Sequence, residues 1–428
     1  MNEQKQALKP VLGPVQLTFY AVGVIVGAGI YSVIGSAAGI AGEGLWLSFV
    51  IGAGVAFLTG LSYAEMTGMM PVAGAEYVYL RRAAPRAGWA AFGVGVIILF
   101  SGAATAATVS LAFAGYLRTF IDMPLWLSAF LLLAVCSAVN VWGIREASWA
   151  NILLTLIEIG GLVLVIAAGL TIDGMFAPVF AVPGPGVMTG AAILFFVFLG
   201  FEELANVAEE ARDPRDVPRA LFAGLGITTV LYVLVALAIV ALAPPAMLAA
   251  SEAPLATALA RVWPGAAGTL SAIALFATAN TVLIILIATS RLAYSMGRDG
   301  ELPALFGAVL ANRRTPWVGA LLAFVMGAAL LPLGDLTMLA QLSSFSALLA
   351  FLAVNLTLIA LRFTEPDAHR PFRVPGAIGR LPLVPVAAIA SILFLLYYFQ
   401  GAVWAGSALA LAVTAVAFAA RQYWRRAG

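Results

Sequence analysis

The sequence predicts an all-α integral membrane protein with about twelve transmembrane helices. Of its 428 residues, 63% are hydrophobic and only 10% are charged, whereas a soluble domain is close to half apolar and a quarter charged. Apolar windows of roughly 20 residues recur along the chain, and this is the length that a helix needs to cross the hydrocarbon core. We therefore expect the lipid bilayer to be a permanent partner, and the net charge of +2 gives no reason to expect nucleic acid.

Hydropathy defines the spans. They are expected at residues 14–37, 43–67, 88–118, 124–142, 148–170, 187–209, 219–243, 266–296, 316–332, 338–361, 381–399 and 402–422. The residues before the first span lack the charged, apolar and small-residue pattern of a cleavable signal, so the first apolar segment is expected to be a span.

The basic residues predict how these spans cross the membrane. If the N-terminus is cytoplasmic, all 22 lysines and arginines except Arg118 and Arg261 fall on the cytoplasmic side. Cytoplasmic loops of membrane proteins carry an excess of Lys and Arg, and one missed or invented span would scramble this asymmetry. The sequence therefore predicts a multi-pass protein of the cytoplasmic (inner) membrane with both termini in the cytoplasm.

Two of the predicted spans carry glycines at mid-depth. The first contains Gly23–Ile30, with glycines at 23, 27 and 29, and the sixth contains Gly200, which Glu202 and Glu203 follow directly. Glycine weakens a helix interior, and irregular backbone at membrane depth is tolerated only where it faces protein or a water-filled cavity. One such cluster on its own is also explained by close helix packing.

Two interrupted spans, five positions apart, are typical of an inverted-repeat secondary transporter. We therefore expect one membrane transport domain over residues 1–428. Five helices over 14–170 would form the first repeat, five over 187–361 the second, and two additional C-terminal helices would occupy 381–424. Helices 1 and 6 of this 5+5 arrangement would be broken at the midplane.

The reactive side chains of the sequence are few. Cys136 is the only cysteine and His369 the only histidine, so the material for a metal site or for nucleophilic catalysis is thin. A channel would show repeated filters or pore-lining rings, and an ATP-driven pump would show a Walker-type loop. We expect no enzyme, no catalytic residue, no metal and no cofactor.

Ordered motifs along the chain resemble those of the amino acid/polyamine/organocation transporters, a superfamily with the LeuT-type inverted-repeat fold. The motifs are Gly23–Ile30, Tyr63–Glu65 with Pro71–Tyr79, Gly200–Glu202 with Ala208–Pro214 and Pro218–Ala220, Ser290–Arg291 with Arg298–Pro303, and Arg370–Gly376. They run in order from the first span to the loop before the eleventh.

The resemblance implies a substrate site between the two interrupted spans. Backbone around Gly27 would hold the carboxylate of a substrate, and carbonyl groups around Phe198 would meet its amino group. Phe196 would cover the bound solute like a lid, although a phenylalanine in a span is also commonly a core or lipid-facing residue. The expected substrate-binding residues are Val26, Gly27, Ala28, Gly29 and Ile30, together with Phe196, Phe198, Leu199, Gly200 and Phe201.

Glu158, deep in the fifth span, departs from the pattern of the superfamily. Many members carry a lysine at the corresponding position, and its ammonium stands in for a coupling sodium ion. A carboxylate cannot act in this way, so the lysine mechanism does not transfer to this chain. Ionisable groups within spans are functional candidates, and a buried carboxyl without a cationic partner is expected to bind a proton, a cation or the substrate.

Glu202 and Glu203 are adjacent, so on a helix their side chains point about 100° apart. Glu202 matches an acidic position of the superfamily, and Glu203 is additional. We expect Glu158 and one of these two to form a titratable pair that couples proton movement to transport, although a protonated packing residue is the alternative for each. Secondary pocket candidates are Ser101, Thr105, Asn280 and Ser344.

Taken together, these features favour a secondary active transporter that moves an amino acid by alternating access, with the proton as the coupling ion in symport or antiport. Two alternatives stay open. The acidic midplane would also suit a cationic amino acid or a polyamine, carried or exchanged. A sensor of the same fold would bind an amino acid without moving it.

Overall fold

The computed structural model describes residues 12–70, 75–143, 148–213, 215–310, 313 and 315–427. Lys5, Lys9, Arg145, Arg314 and the residues Pro71–Gly74 of one motif lie outside these ranges. Within them the chain is almost entirely helical, which confirms the predicted all-α class.

Seven α-helices form the predicted first half. They are α1 (Pro14–Val26), α2 (Gly29–Ala41), α3 (Leu45–Met69), α4 (Ala75–Ala83), α5 (Gly88–Leu117), α6 (Leu125–Trp142) and α7 (Ser148–Gly169). Short 3₁₀ helices occupy Gly42–Gly44 and Ala177–Phe180. Pro14 begins α1 at the position where a missing N–H costs nothing.

The second half begins with an irregular segment. Helix α8 (Val187–Leu194) passes into 3₁₀ helices at Phe195–Phe198 and Phe201–Glu210. The helices that follow are α9 (Asp216–Leu242), α10 (Pro245–Ala249), α11 (Pro254–Ala260), α12 (Ala266–Arg298), α13 (Trp317–Leu330), α14 (Leu336–Thr364), α15 (Leu383–Leu396) and α16 (Gly401–Ala427). Further 3₁₀ helices lie at Ala304–Gly307 and Leu331–Leu333. Asp335 caps α14 by accepting hydrogen bonds from the N–H groups of Thr337 and Met338.

A two-residue hairpin lies between α14 and α15. Strand β1 (Ala377–Ile378) pairs antiparallel with β2 (Leu381–Pro382), with Ala377 opposite Pro382.

Among the described residues, eight helical segments are long and apolar enough to cross a membrane unaided. One of them, Gly29–Met69, combines α2 and α3. The bent pair Leu383–Leu396 and Gly401–Val416 and the shorter apolar helices Pro14–Val26 and Trp317–Leu333 supply the remaining apolar length. Each of the twelve predicted spans overlaps one helix or one interrupted series of helices. The division into two repeats stays a prediction.

The helices pack as two main groups. Helix α9 packs along α1, α3 and α7, while α5 packs along α12 and α14. Helix α4 contacts both α5 and α14. We call the surface formed by α4 and the C-terminal ends of α12 and α14 the basic face, because Arg81 and Arg82 lie there. The two interrupted spans, α1–α2 and α8 with its 3₁₀ extensions, lie in the middle of this packing.

Candidate functional site

The first span is interrupted at Gly27 and Ala28. Helix α1 closes with a hydrogen bond from the Gly27 N–H to the Gly23 carbonyl (3.2 Å), and α2 begins at Gly29 without a side-chain cap. The first N–H groups of a helix have no partner within the helix and carry partial positive charge. The break therefore leaves backbone donors of α2 and backbone acceptors of α1 at the same depth.

The sixth span is interrupted at Leu199 and Gly200. Leu199 is extended, and Gly200 has a φ of +117°, a conformation that side chains disfavour. A Cβ atom on Gly200 would lie 2.8 Å from the Val24 carbonyl oxygen. Glycine is thus required here both by the backbone angle and by the close approach of α1.

The two interruptions lie side by side. Gly200 abuts Val24, and a Cβ on Gly29 would lie 2.9 Å from the Cα of Val197. One side chain also joins them, because the Tyr232 hydroxyl of α9 donates to the Ile25 carbonyl (2.8 Å) and has the carbonyls of Val26 and Val197 within 3.2 Å. The structure therefore confirms the prediction that both spans are broken, and it places the breaks against each other.

The predicted substrate-binding residues surround this junction. Of these, Val26, Ala28, Ile30, Phe196, Phe198 and Phe201 are buried, and Gly27 is buried as well. Gly29, Leu199 and Gly200 are partly exposed. The Phe198 ring packs edge-on against Phe49 and Tyr232, so it supports the break from behind, and the role of Phe196 as a lid stays a prediction.

Helix α12 brings two polar side chains to the first break. The Ala28 N–H donates to the Thr281 hydroxyl (3.0 Å), and the Asn280 side chain lies beside the Glu158 carboxyl. Asn280 was predicted as a pocket candidate, whereas Thr281 was missed. Its only sequence signal is its position next to Asn280 in an otherwise apolar stretch.

Glu158 is buried in α7, with 3% of its surface exposed. One of its carboxyl oxygens has no hydrogen-bond partner among the described residues. The Tyr31 hydroxyl donates to its backbone carbonyl (2.9 Å), which ties this turn of α7 to α2. Glu158 therefore lies beside the break of the first span, in contact with α12.

Glu202 and Glu203 lie in different surroundings. Glu202 accepts a hydrogen bond from the Gly200 N–H (2.8 Å) and so stabilises the break of its own span. Its charged neighbours are Glu203 and Glu76 of α4. The interactions described for Glu202 do not include Glu158, so this version of the predicted coupling pair is not in direct contact in this conformation.

Glu76 belongs to the same acidic group and was not singled out from the sequence. Burial raises the pKa of its carboxyl to about 7, even though a hydrogen bond from the Tyr63 hydroxyl (2.8 Å) favours the charged form. Glu76 thus places a proton-binding group between α4 and the 3₁₀ helix that follows Gly200.

Hydroxyl groups connect the third and tenth spans. Ser101 donates to the Ser343 carbonyl (3.0 Å), and the Thr105 and Ser343 hydroxyls are 2.5 Å apart. The predicted Ser344 is fully buried, and its hydroxyl has no partner among the described residues. The pocket candidates Ser101 and Thr105 therefore join α5 to α14 through Ser343 rather than through Ser344.

A buried ion cluster lies near the basic face. The carboxylate of Glu65 in α3 pairs with Arg362 of α14 (2.5 Å) and with Arg370 of the following loop (2.9 Å). The Val374 N–H also donates to it (2.7 Å). The sequence placed Arg362 at a span end, whereas its side chain is only 2% exposed. The sequence signal for this cluster was Glu65 itself, an acidic residue within the apolar run 43–67.

Exposed ion pairs hold α4 on both sides. Arg81 pairs with Asp299 (2.8 Å), and Arg82 pairs with Glu365 (2.7 Å). The hydrogen bond from Arg82 lowers the pKa of Glu365. These pairs connect α4 to the ends of α12 and α14.

The family model for amino acid permeases matches residues 12–418 of this chain, which includes both interrupted spans. The chain belongs to the amino acid permease family. This membership supports the resemblance to the amino acid/polyamine/organocation superfamily, and it makes the protein a multi-pass membrane transporter rather than an enzyme.

Several curated proteins resemble this permease over most of its length. Branched-chain amino acid permease BcaP of Bacillus subtilis (strain 168) is 29% identical over 92% of this chain and 88% of its own. The methylthioribose transporter of the same organism is 27% identical over 96% and 93%. Cationic amino acid transporter 4 of Mus musculus is 31% identical over 88% of this chain and 64% of its own.

Proposed function

We propose that this permease moves an amino acid across the cytoplasmic membrane by alternating access, driven by protons that bind to Glu158. The observation that carries the proposal is the junction of two interrupted spans, with Gly200 against Val24 and Gly29 against Val197. The near one-sided distribution of basic residues supports an orientation with both termini in the cytoplasm.

The junction suits a zwitterion. Partial positive charge at the start of α2 would attract the carboxylate, through the N–H groups of Ala28, Gly29 and Ile30. Carbonyl groups at the end of α1 and around Leu199 would accept from the ammonium group. Phe196 and the other apolar side chains nearby would contact the substrate side chain.

The carboxyl of Glu158 supports proton coupling. It lies beside the break, is almost fully buried, and has a carboxyl oxygen without a partner among the described residues. A carboxylate left unpaired in such a place is costly, so proton uptake would accompany each passage through this state. Glu202, Glu203 and Glu76 would form a second proton-binding group toward the basic face.

A small apolar amino acid is the substrate that we favour. The side chains at the junction are aliphatic or aromatic, and one relative is named a branched-chain amino acid permease. A cationic amino acid is the second candidate, because the Glu158 carboxyl oxygen could pair with an additional ammonium and another relative is named a cationic amino acid transporter.

The test uses purified permease in proteoliposomes, with L-leucine and L-arginine as labelled probes. Counterflow of one probe but not the other would distinguish the candidates, and a thermal shift without counterflow would indicate a sensor. Glu158→Gln should abolish accumulation driven by a pH gradient while counterflow continues.

Asp122→Asn is the matched control, because Asp122 is a highly exposed carboxylate and its loss should leave accumulation unchanged. If Glu158→Gln accumulates substrate as the wild type does, Glu158 is not the coupling group. If neither binding nor counterflow is found with any standard amino acid, the transport proposal is wrong.

A further inference from the structure

The Ala28 N–H has a side-chain partner in this structure. At the break between α1 and α2, it donates to the Thr281 hydroxyl of α12 at 3.0 Å. The approach is close, since a Cβ on the neighbouring Gly27 would lie 3.2 Å from the same oxygen. The Thr281 hydroxyl oxygen therefore accepts the hydrogen bond of a backbone N–H that has no partner within the interrupted helix.

The O–H group of Thr281 can also donate a hydrogen bond. A hydroxyl carries one O–H donor and two lone pairs, and here one lone pair accepts from Ala28. The hydroxyl of Thr278, one turn earlier in α12, donates to the Ala274 carbonyl (2.7 Å). For Thr281, the described residues provide no acceptor, and its side chain is half-buried rather than buried.

A carboxylate satisfies all of these groups at once. It can accept from the Ala28 N–H, from the uncapped N–H groups of α2, and from the Thr281 O–H, and hydrogen bonds to a charged oxygen are stronger than those between neutral groups. An amine without a carboxylate offers no comparable acceptor. The chemistry of this corner therefore selects for the acid end of a substrate.

We infer that Thr281 is a specificity-determining residue whose hydroxyl binds the substrate carboxylate together with the Ala28 N–H, so that the permease accepts amino acids and rejects the corresponding amines. This inference rests on the proposed amino acid site and adds a ligand from α12 to it. It also separates an amino acid carrier from a polyamine carrier.

The test is equilibrium binding to the purified full chain. The probe is the standard amino acid that raises the melting temperature of the wild type most. For leucine, the competitors are leucinamide and 3-methylbutylamine, and for arginine they are argininamide and agmatine. The variants are Thr281→Val, which keeps the shape and removes the hydroxyl, and Thr281→Ser, which keeps the hydroxyl.

Thr281→Val should weaken binding of the amino acid about tenfold and change binding of the amide and the amine less than about twofold. Thr281→Ser should bind the amino acid nearly as the wild type does. Thr278→Val is the control, because that hydroxyl bonds its own helix, and it should not alter the preference for acid over amide. If Thr281→Val folds poorly, Thr281→Ala should give the same selective loss.

Two results would overturn the inference. One is unchanged binding of the amino acid to Thr281→Val and Thr281→Ala, and the other is an equal loss for the acid, the amide and the amine, which would indicate a purely structural role. In either case the amino acid site itself stands. If no standard amino acid binds the wild type, the proposed function fails and this inference fails with it.

Discussion

Gly200 shows how a single residue permits a break inside the membrane. Its φ of +117° costs about 1–2 kcal/mol for any L side chain, and its missing Cβ leaves room for the Val24 carbonyl. The carboxylate of Glu202 then accepts from its N–H, so one glycine and one acidic residue together hold the chain out of helical conformation.

Replacing Gly200 by alanine should therefore lower the melting temperature markedly and weaken amino acid binding, because the added methyl meets backbone rather than a flexible side chain. The matched control is Gly54→Ala. Gly54 lies within α3 with no atom within 4 Å of its ideal Cβ position, and alanine there should be neutral or slightly stabilising. Thermal unfolding of the two variants checks this, and equal melting temperatures would contradict it.

At the scale of elements, the junction depends on α9 as much as on the broken helices themselves. Tyr232 is fully buried, and its hydroxyl serves carbonyl groups of both interrupted spans. Buried carbonyls without a donor cost about 1–3 kcal/mol, so this one hydroxyl stabilises two irregular segments together.

Tyr232→Phe should lower the melting temperature and weaken amino acid binding more than about fivefold, because both breaks lose their shared donor and ~1 kcal/mol or more of interaction. Tyr116→Phe offers a matched comparison. Tyr116 is also fully buried, and its hydroxyl donates to the Tyr31 carbonyl (3.2 Å) in the first turn of α2 rather than to carbonyl groups of both interrupted spans. That variant should lose stability with little loss of binding, and parallel losses in both variants would argue against a special role for Tyr232.

At the scale of the whole molecule, the ion cluster of Glu65, Arg362 and Arg370 connects α3, the end of α14 and the loop that follows. The same loop contributes Phe372, which packs on Phe222 of α9, and Phe222 in turn stacks on Phe57 of α3. A surface loop is thereby fastened to helices from both halves of the chain.

Glu65→Gln should destabilise the protein by about 3–5 kcal/mol, because it removes the carboxylate that pairs with two buried arginines. Arg82→Gln breaks the exposed pair with Glu365 and should cost at most about 1 kcal/mol. Denaturation of both variants in the same detergent gives the comparison. Similar losses for the two would show that the buried cluster contributes no more than a surface pair.

Features formed by neighbouring residues could be predicted from the sequence, whereas contacts between residues far apart in the chain could not. The spans, the glycine breaks and the carboxyl groups of Glu158, Glu202 and Glu203 are local features, and hydropathy and composition were enough to find them, whereas Glu65 and Glu76 were not singled out. The partnership of Ala28 with Thr281 joins residues 253 positions apart, and that of Glu65 with Arg362 joins residues 297 positions apart. A lone threonine in an apolar helix, or an arginine near a span end, carries no sign of its partner until the helices are packed.

The hydrogen bonds of Tyr232 have a mechanical consequence. The Tyr232 hydroxyl contacts carbonyl groups of both interrupted segments. Neither segment can therefore rotate away from the other without breaking these contacts. The two segments should consequently travel as one rigid piece during the transport cycle. Under the proposed alternating-access cycle, the moving surfaces would lie around this rigid piece, and the junction of the two breaks would keep its shape while its exposure changes from one side of the membrane to the other.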